Sequence, residues 1–401
     1  MRVVELYEAV DLIRNGVSIK QSEYATGIPI TRIETIADWN INPQRCGYAN
    51  VTVDDFPNHV LHNGDILISH INSTKHLGKC AMYKGVPKIL IHGMNLLGMR
   101  VNTDVAYPDY IYRVLCSQEF RRQLPKITKD SVNQSSFTVT NFKGLKIPLP
   151  PLKEQKRIAA ILDKADAIRR KRQQAIDLTD QLLRSVFLDM FGDPVTNPKG
   201  WPVQEIQSVC YEIVDCVNKT AKSVDFVTSY KMIRTTNIRN FKIDTQNVRF
   251  VEKEIYEKWV RRLTPEVGDI FFTREAPAGE AAIVKTEEKI FLGQRSMHFR
   301  PDYKLSTSEF LLHELMGAGI KRQIIKMSAG STVTHLSVPE CKKFEIRVPP
   351  IELQKKFSEI EQYIEVKREK YCDSIVLSEN LFSSLTQQAF SGELSNQTKA
   401  A

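Results

Sequence analysis

The sequence predicts an α+β chain in which two pseudo-symmetric mixed α/β domains are separated by two long antiparallel helices forming a coiled-coil-like spacer. Three observations predict it. A proline pair followed by a charged, helix-forming run occurs twice, the blocks upstream of each pair repeat in the same order, and each run places apolar residues in steps of three and four. At 401 residues the chain is also too long for one typical core.

The repeat is clearest around the prolines. KIPLPPLKEQKRIAAILDKADAIRRKRQQAI from Lys146 answers to EIRVPPIELQKKFSEIEQYIEVKREKYCDSI from Glu345. Pro150 and Pro151 match Pro349 and Pro350, and the same ungapped register pairs Gln155 with Gln354, Ile161 with Ile360, Leu182 with Leu381 and Phe191 with Phe390. Upstream, NGDILIS from Asn63 resembles VGDIFFT from Val267, and GIPITRIETI from Gly27 resembles SYKMIRTTNI from Ser229, which sets Arg32 against Arg234. Small shifts between blocks are what insertions in surface loops produce.

Each domain reads as mixed. Short β-like runs, Asp65 to Ser69 and Asp269 to Thr273, lie between Gly and Pro punctuation. YPDYIYRVLCSQEFRRQL from Tyr107 and TSEFLLHELMGAGIKRQI from Thr307 have helical spacing instead. The organisation is a first domain over 1–150, a long helix over 151–190, a second domain over 191–350, and a second long helix with a C-terminal tail over 351–401.

The two helices follow from periodicity and from what is missing. Ile158, Leu162, Ala165, Ile168, Ile176, Leu182, Val186 and Met190 form one apolar stripe, and Leu353, Phe357, Ile360, Ile364, Tyr371, Ile375, Leu381, Leu385 and Ala389 form the other. Neither run contains Pro or Gly until Gly192 and Gly392. A helix from Leu152 to Met190 is roughly 58 Å long at a rise of 1.5 Å per residue. So long an exposed stripe is unstable alone, so the two stripes should bury each other, and an antiparallel arrangement gives the repeat a two-fold pseudo-axis. Separate cores or a homodimer would also bury them, and Arg169 to Arg172 reads as a solvated face.

Lysine and arginine outnumber acidic residues 56 to 47, a formal charge of +9 that suits an anionic partner such as nucleic acid. The seven cysteines are scattered without a CxxC pair, which reads as buried reduced thiols rather than a disulfide framework or zinc ribbon. No apolar run is long enough to cross a bilayer, and the acidic start MRVVELYEAVDLIRNG lacks a secretory signal, so a cytoplasmic location is expected, with no membrane partner.

The sequence carries no complete catalytic signature. The Asp/Asn-Pro-Pro-aromatic motif of adenine methyltransferases is absent, since Leu149 and Val348 precede the proline pairs. TKHLGK, ending at Lys79, has Ser73 where a P-loop requires glycine. The histidines lack HExxH or HxH spacing, and His59 with His62 have no third partner. Asp269 followed by Glu287, Glu288 and Lys289 superficially resembles a metal-dependent nuclease set, but the matching first-half block has Asp65 followed only by Lys84 to Lys88.

Proline pair, Glu-Gln or Leu-Gln, then a long basic helix, twice over: these features resemble the specificity (S) subunits of type I restriction-modification systems. FGDPVTNPKGWP from Phe191 resembles the junction into that family's second recognition domain, and QQAFSGEL from Gln387 resembles its C-terminal ending. The second half opens with GWPVQEI from Gly200, whereas the first opens at MRVVELYEAV without a matching lead-in. The resemblance implies a non-catalytic adaptor whose two target-recognition domains read the halves of a bipartite, asymmetric sequence in double-stranded DNA. It implies helices that fix the gap and dock two methyltransferase (M) subunits, with two restriction/translocase (R) subunits in the full complex. S-adenosylmethionine, ATP and Mg are then expected in the partners and no cofactor in this chain.

For the DNA face, polar loops in matched places are the candidates. SHINSTKHLGK from Ser69 and TREAPAGEAA from Thr273 follow corresponding strands, while SVNQSSFTVTN from Ser131 and SAGSTVTHLSV from Ser328 precede each proline marker. Asn72, Lys75, Asn133, Gln134, Arg274, Gln294, Arg295 and His335 lead, because such side chains suit base edges and phosphates. Taken singly, each also fits an ordinary turn. A metal-dependent nuclease built on Asp269 and Glu287, and a structural coiled-coil scaffold, are the alternatives.

Overall fold

The structure, a computed structural model, describes residues 1–401 except 23, 25, 132, 133, 218, 276, 329–334 and 397–401, and at 395 and 396 only the backbone. The chain divides into two compact units, residues 1–173 with 373–401, and residues 174–372. Each has the same plan.

In the first unit the strands that recur in the second are β1 (Val3–Glu5), β2 (Val10–Asn15), β3 (Ile66–Ser69), β4 (Cys80–Met82), β5 (Leu96–Val101) and β6 (Lys146–Pro148). In the second they are β7 (Val203–Glu205), β8 (Cys210–Asp215), β9 (Ile270–Thr273), β10 (Ala281–Ile283), β11 (Ser296–Pro301) and β12 (Glu345–Arg347). The four-stranded antiparallel sheets run β2-β5-β3-β4 and β8-β11-β9-β10. Even the register repeats: Ile66 faces Met99 as Ile270 faces Phe299, and Ser69 faces Leu96 as Thr273 faces Ser296. A bulge between Val10 and Leu12 recurs between Cys210 and Glu212. The runs ILIS and IFFT are buried at every position, which is why they read as continuous apolar strands rather than alternating ones.

Helices α1 (Pro108–Cys116) and α3 (Ser308–Met316) follow the sheets, and α2 (Leu152–Phe191) and α4 (Ile351–Ser391) are the two long ones. The proline pair holds the chain extended up to each long helix, because a residue before proline is barred from helical geometry. Gln155 and Gln354, both fully buried, then clamp the helix to its domain. Gln155 accepts from Tyr107 N–H (2.8 Å) and donates to the carbonyls of Val105 (2.9 Å) and Pro150 (2.8 Å). Gln354 accepts from Thr307 N–H (3.0 Å) and donates to Leu305 (3.1 Å) and Pro349 (2.8 Å). The repeated glutamine is therefore a structural joint.

Each unit holds half of each long helix, packed antiparallel. In the first, Ile158, Ala159 and Leu162 of α2 join Ala389 and Phe390 of α4 in the domain core, with Phe390 edge-on to Tyr110. Arg172 donates to the Ser374 carbonyl (2.6 Å) and the Ser378 hydroxyl. In the second, Phe187 and Phe191 of α2 pack on Phe357 of α4 and Phe310 of α3, and Arg368 pairs with Asp180 at 2.8 Å. The expected apolar stripe is thus buried only in part. Ile168, Leu182, Ile360, Tyr371 and Leu381 are exposed, because the cross-helix contacts away from the domains are made by Arg172 and Arg368.

Helix ends differ between units. Gly192, at φ +79°, stops α2, and the buried Arg347 donates to the carbonyls of Phe191 (2.8 Å) and Gly192 (2.7 Å) while pairing with Glu314. Trp201 of the GWP lead-in donates its indole N–H to Phe191 O at 2.9 Å. At the end of α4, Gly392 (φ +91°) lies beside Met1. Among the described residues no helix is long and apolar enough to cross a membrane.

Candidate nucleic-acid interface

In each domain three loops meet at one end of the four-stranded sheet. One follows β3 or β9, one is the turn into β5 or β11, and one precedes the last strand of the domain. A backbone bond fastens the first to the third in both domains, Phe137 N–H to His70 O at 3.1 Å and Leu336 N–H to Arg274 O at 3.2 Å.

In the second domain four of the residues singled out from sequence come together. Arg274 N–H donates to Arg295 O (2.8 Å), and the half-buried Arg274 guanidinium donates to Leu336 O (2.9 Å). Arg274 therefore staples loops, while its neighbour Glu275 carries the charge network. The Glu275 carboxylate pairs with Arg295 Nε at 3.0 Å and with the ring Nδ1 of His335. Gln294, beside Arg295, accepts from the Thr220 hydroxyl at 2.9 Å.

The first domain assembles a cluster of hydroxyls and amides in the matching place, with Ser135 Oγ donating to the Asp130 carboxylate at 2.5 Å. Asn72 lies on a two-residue strand, Ile71–Asn72, that pairs with Ser135–Ser136, which pairs in turn with Lys129–Asp130. The Asn72 amide donates to Ser69 Oγ (3.1 Å) and its carbonyl accepts from Ser73 N–H (2.8 Å). The hydroxyls of Thr74 and Ser135 share a hydrogen bond of 2.9 Å. Lys75 and Gln134 are exposed on this cluster, and Asn133 lies outside the described residues.

Sequence reasoning missed Met94 and Asn95, the first-domain counterparts of Gln294 and Arg295. They are the two residues between Gly93 and β5, as Gln294 and Arg295 are between Gly293 and β11. With Ser18, Gln21, Thr31 and Arg32 they line a groove of about 180 Å³. Aligning GMNLLGM from Gly93 with GQRSMHF from Gly293 would have found them.

The nuclease alternative loses its carboxylate. Asp269 is buried and accepts two hydrogen bonds from Arg300 (2.8 and 2.7 Å) and one from His298 Nε2 (2.6 Å). Burial pushes its carboxyl up, but the bonds from Arg300 and His298 outweigh that and hold it at about 2. Asp65 accepts the same fork from Arg100 at 2.8 and 2.6 Å, so the pair is a repeated structural brace under the loops. Glu287 is exposed, and among the described residues no group of His, Cys, Asp and Glu side chains is arranged to hold a metal.

Comparison with known proteins agrees with this architecture. The model of a family described as "Type I restriction modification DNA specificity domain" matches residues 1–178 and again 198–367. A putative type I restriction enzyme MjaX specificity subunit of Methanocaldococcus jannaschii is 30% identical over 387 residues, covering 92% of this chain and 88% of the relative. The EcoBI specificity subunit of Escherichia coli is 21% identical over 437 residues, covering 98% and 86%. A solved S subunit from M. genitalium superposes with a TM-score of 0.62 at 12% identity, covering 97% of this chain and 96% of that one, a likeness of fold.

Proposed function

The chain belongs to the family of type I restriction-modification DNA specificity subunits, and from that premise we propose that each of its two domains reads one half of a bipartite, asymmetric target in double-stranded DNA. One observation carries the reading: the two domains repeat sheet order, register and loop fastening, yet present unlike side chains on the three loops. A common frame sets position, and the side chains that vary on it set sequence.

The chain is a non-catalytic adaptor, and S-adenosylmethionine, ATP and Mg serve M and R subunits. The continuous helices α2 and α4 set the unread gap and dock two M subunits, with two R subunits completing the nuclease. Exposed apolar side chains on those helices support docking: Ile168, Leu377 and Leu381 in the first unit, Leu182, Tyr363 and Val366 in the second. Asn72, Lys75, Asn133, Gln134, Gln294, Arg295 and His335 face the DNA, and Arg274 holds its loops together.

Co-expression with the methyltransferase followed by mapping of methylated adenines tests this. The expected result is a two-part motif whose halves change separately when residues 1–150 or 191–350 are exchanged. A single contiguous motif overturns it, as does plasmid cleavage by this chain alone with magnesium. Lys75→Ala should weaken all sequences alike and lower the slope of log affinity against log salt by about 0.9.

A further inference from the structure

Six described residues other than glycine have positive φ, and two of them are counterparts: Asn95 at 71° and Arg295 at 68°. Each stands immediately before the strand, β5 or β11, that runs second in its sheet. Glycine takes this conformation without steric cost and asparagine tolerates it, but arginine is strained there. A left-handed conformation kept in both repeats, with a different polar side chain on each and strain accepted at the arginine, points to a functional demand on what is presented there.

The surroundings make the turn a rigid base. Gly93 and Gly293, two residues upstream, run against the neighbouring chain: a Cβ at Gly93 would lie 2.2 Å from Thr31 O, and one at Gly293 would lie 3.2 Å from Ile233 O. Gly93 N–H donates to Thr31 Oγ1 (2.9 Å) and Gly293 N–H to Ile233 O (2.7 Å). Asn95 opens on the groove that Gln21 and Arg32 also line. Arg295 is 59% exposed, and its Nε lies 3.0 Å from Glu275, a carboxylate that is itself only 17% exposed.

Resting on the reading of the domains as DNA readers, we infer that this turn is a base-reading finger in both, taking adenine through Asn95 in one half-site and guanine through Arg295 in the other. An amide offers one acceptor and one donor, the complement of adenine N6–H and N7; a guanidinium offers two parallel donors, the complement of guanine O6 and N7. Glu275 is a positioning residue that holds the guanidinium through Nε.

The test uses the full chain co-expressed with its methyltransferase, with genomic methylation as the readout. Asn95→Arg should replace adenine by guanine at one position of one half-site, and Arg295→Asn should do the reverse at one position of the other. Glu275→Gln should keep the preferred base but lower its discrimination about tenfold. Glycine variants at 95 and 295 guard against misfolding, since they relieve the left-handed strain: they should melt no lower than wild type and leave that one position degenerate. Retained base preference in a folded variant, or uniform weakening across sequences with a lower salt slope, overturns the inference in favour of a structural or phosphate-contacting turn. A wild-type motif with no guanine in one half overturns it too. A wild-type chain without a two-part motif would instead overturn the functional reading beneath it.

Discussion

The first and second domains share a frame and differ in what fills it. Beneath the loops of the first, the imidazole is His92, whose ring lies where a side chain on Gly98 would be, and whose Nε2 is 2.9 Å from Leu96 O. In the second, position 298 on the matching strand is itself histidine and bonds Asp269, while position 292 is leucine. The helix joint differs likewise: an edge-on ring pair seats the helix end in both, Tyr110 with Phe390 in the first and Phe310 with Phe191 in the second, but the second adds the buried Arg347–Glu314 pair where positions 148 and 114 of the first are proline and valine. A few buried backbone-directed hydrogen bonds hold the fold, and once they are in place different packings serve equally well.

The largest test of this contrast removes one partner of the buried pair. Glu314→Ala leaves the Arg347 guanidinium buried and unpaired, and should cost about 3–5 kcal/mol. Hydrogen exchange on the full chain should place the loss in residues 174–372; equal deprotection in both units would erase the contrast. The next concerns acid. Burial holds His92 at about 4, below the 6.5 of an exposed imidazole, so the folded state binds fewer protons than the unfolded one between those values. Stability is then fully present above pH 6.5 and falls as pH drops towards 4, by about 3 kcal/mol from this group. His92→Leu, which copies the second domain, should flatten that part of the pH profile of denaturant unfolding; an unchanged slope would count against it. The smallest effect should be the same on both sides. Gln155→Leu and Gln354→Leu each orphan one N–H and two carbonyls, a loss of about 2 kcal/mol. Markedly unequal losses in thermal melting would mean that the joint is not shared.

The proline pairs, the glutamines after them and the Gly-Asp blocks were legible in the sequence because they serve local geometry that tolerates few residues. Asn95 was not legible, since one asparagine in a turn carries no signal until the repeat is aligned through β5 and β11. Arg274 and Arg295 look alike in sequence, yet one is spent on a carbonyl and the other is exposed. Glu287 looked like a partner for Asp269, whose carboxylate instead answers Arg300 and His298.

By itself the sequence determined the internal repeat, the mixed α and β composition, two long helices and the family, because periodicity, prolines and glycines act over a few residues at a time. Only the tertiary structure decided which arginine braces and which is presented, where the apolar stripes stay exposed, and that position 95 answers to 295. Those outcomes depend on which distant chain segments supply the hydrogen-bond partners, and spacing along one chain does not record that.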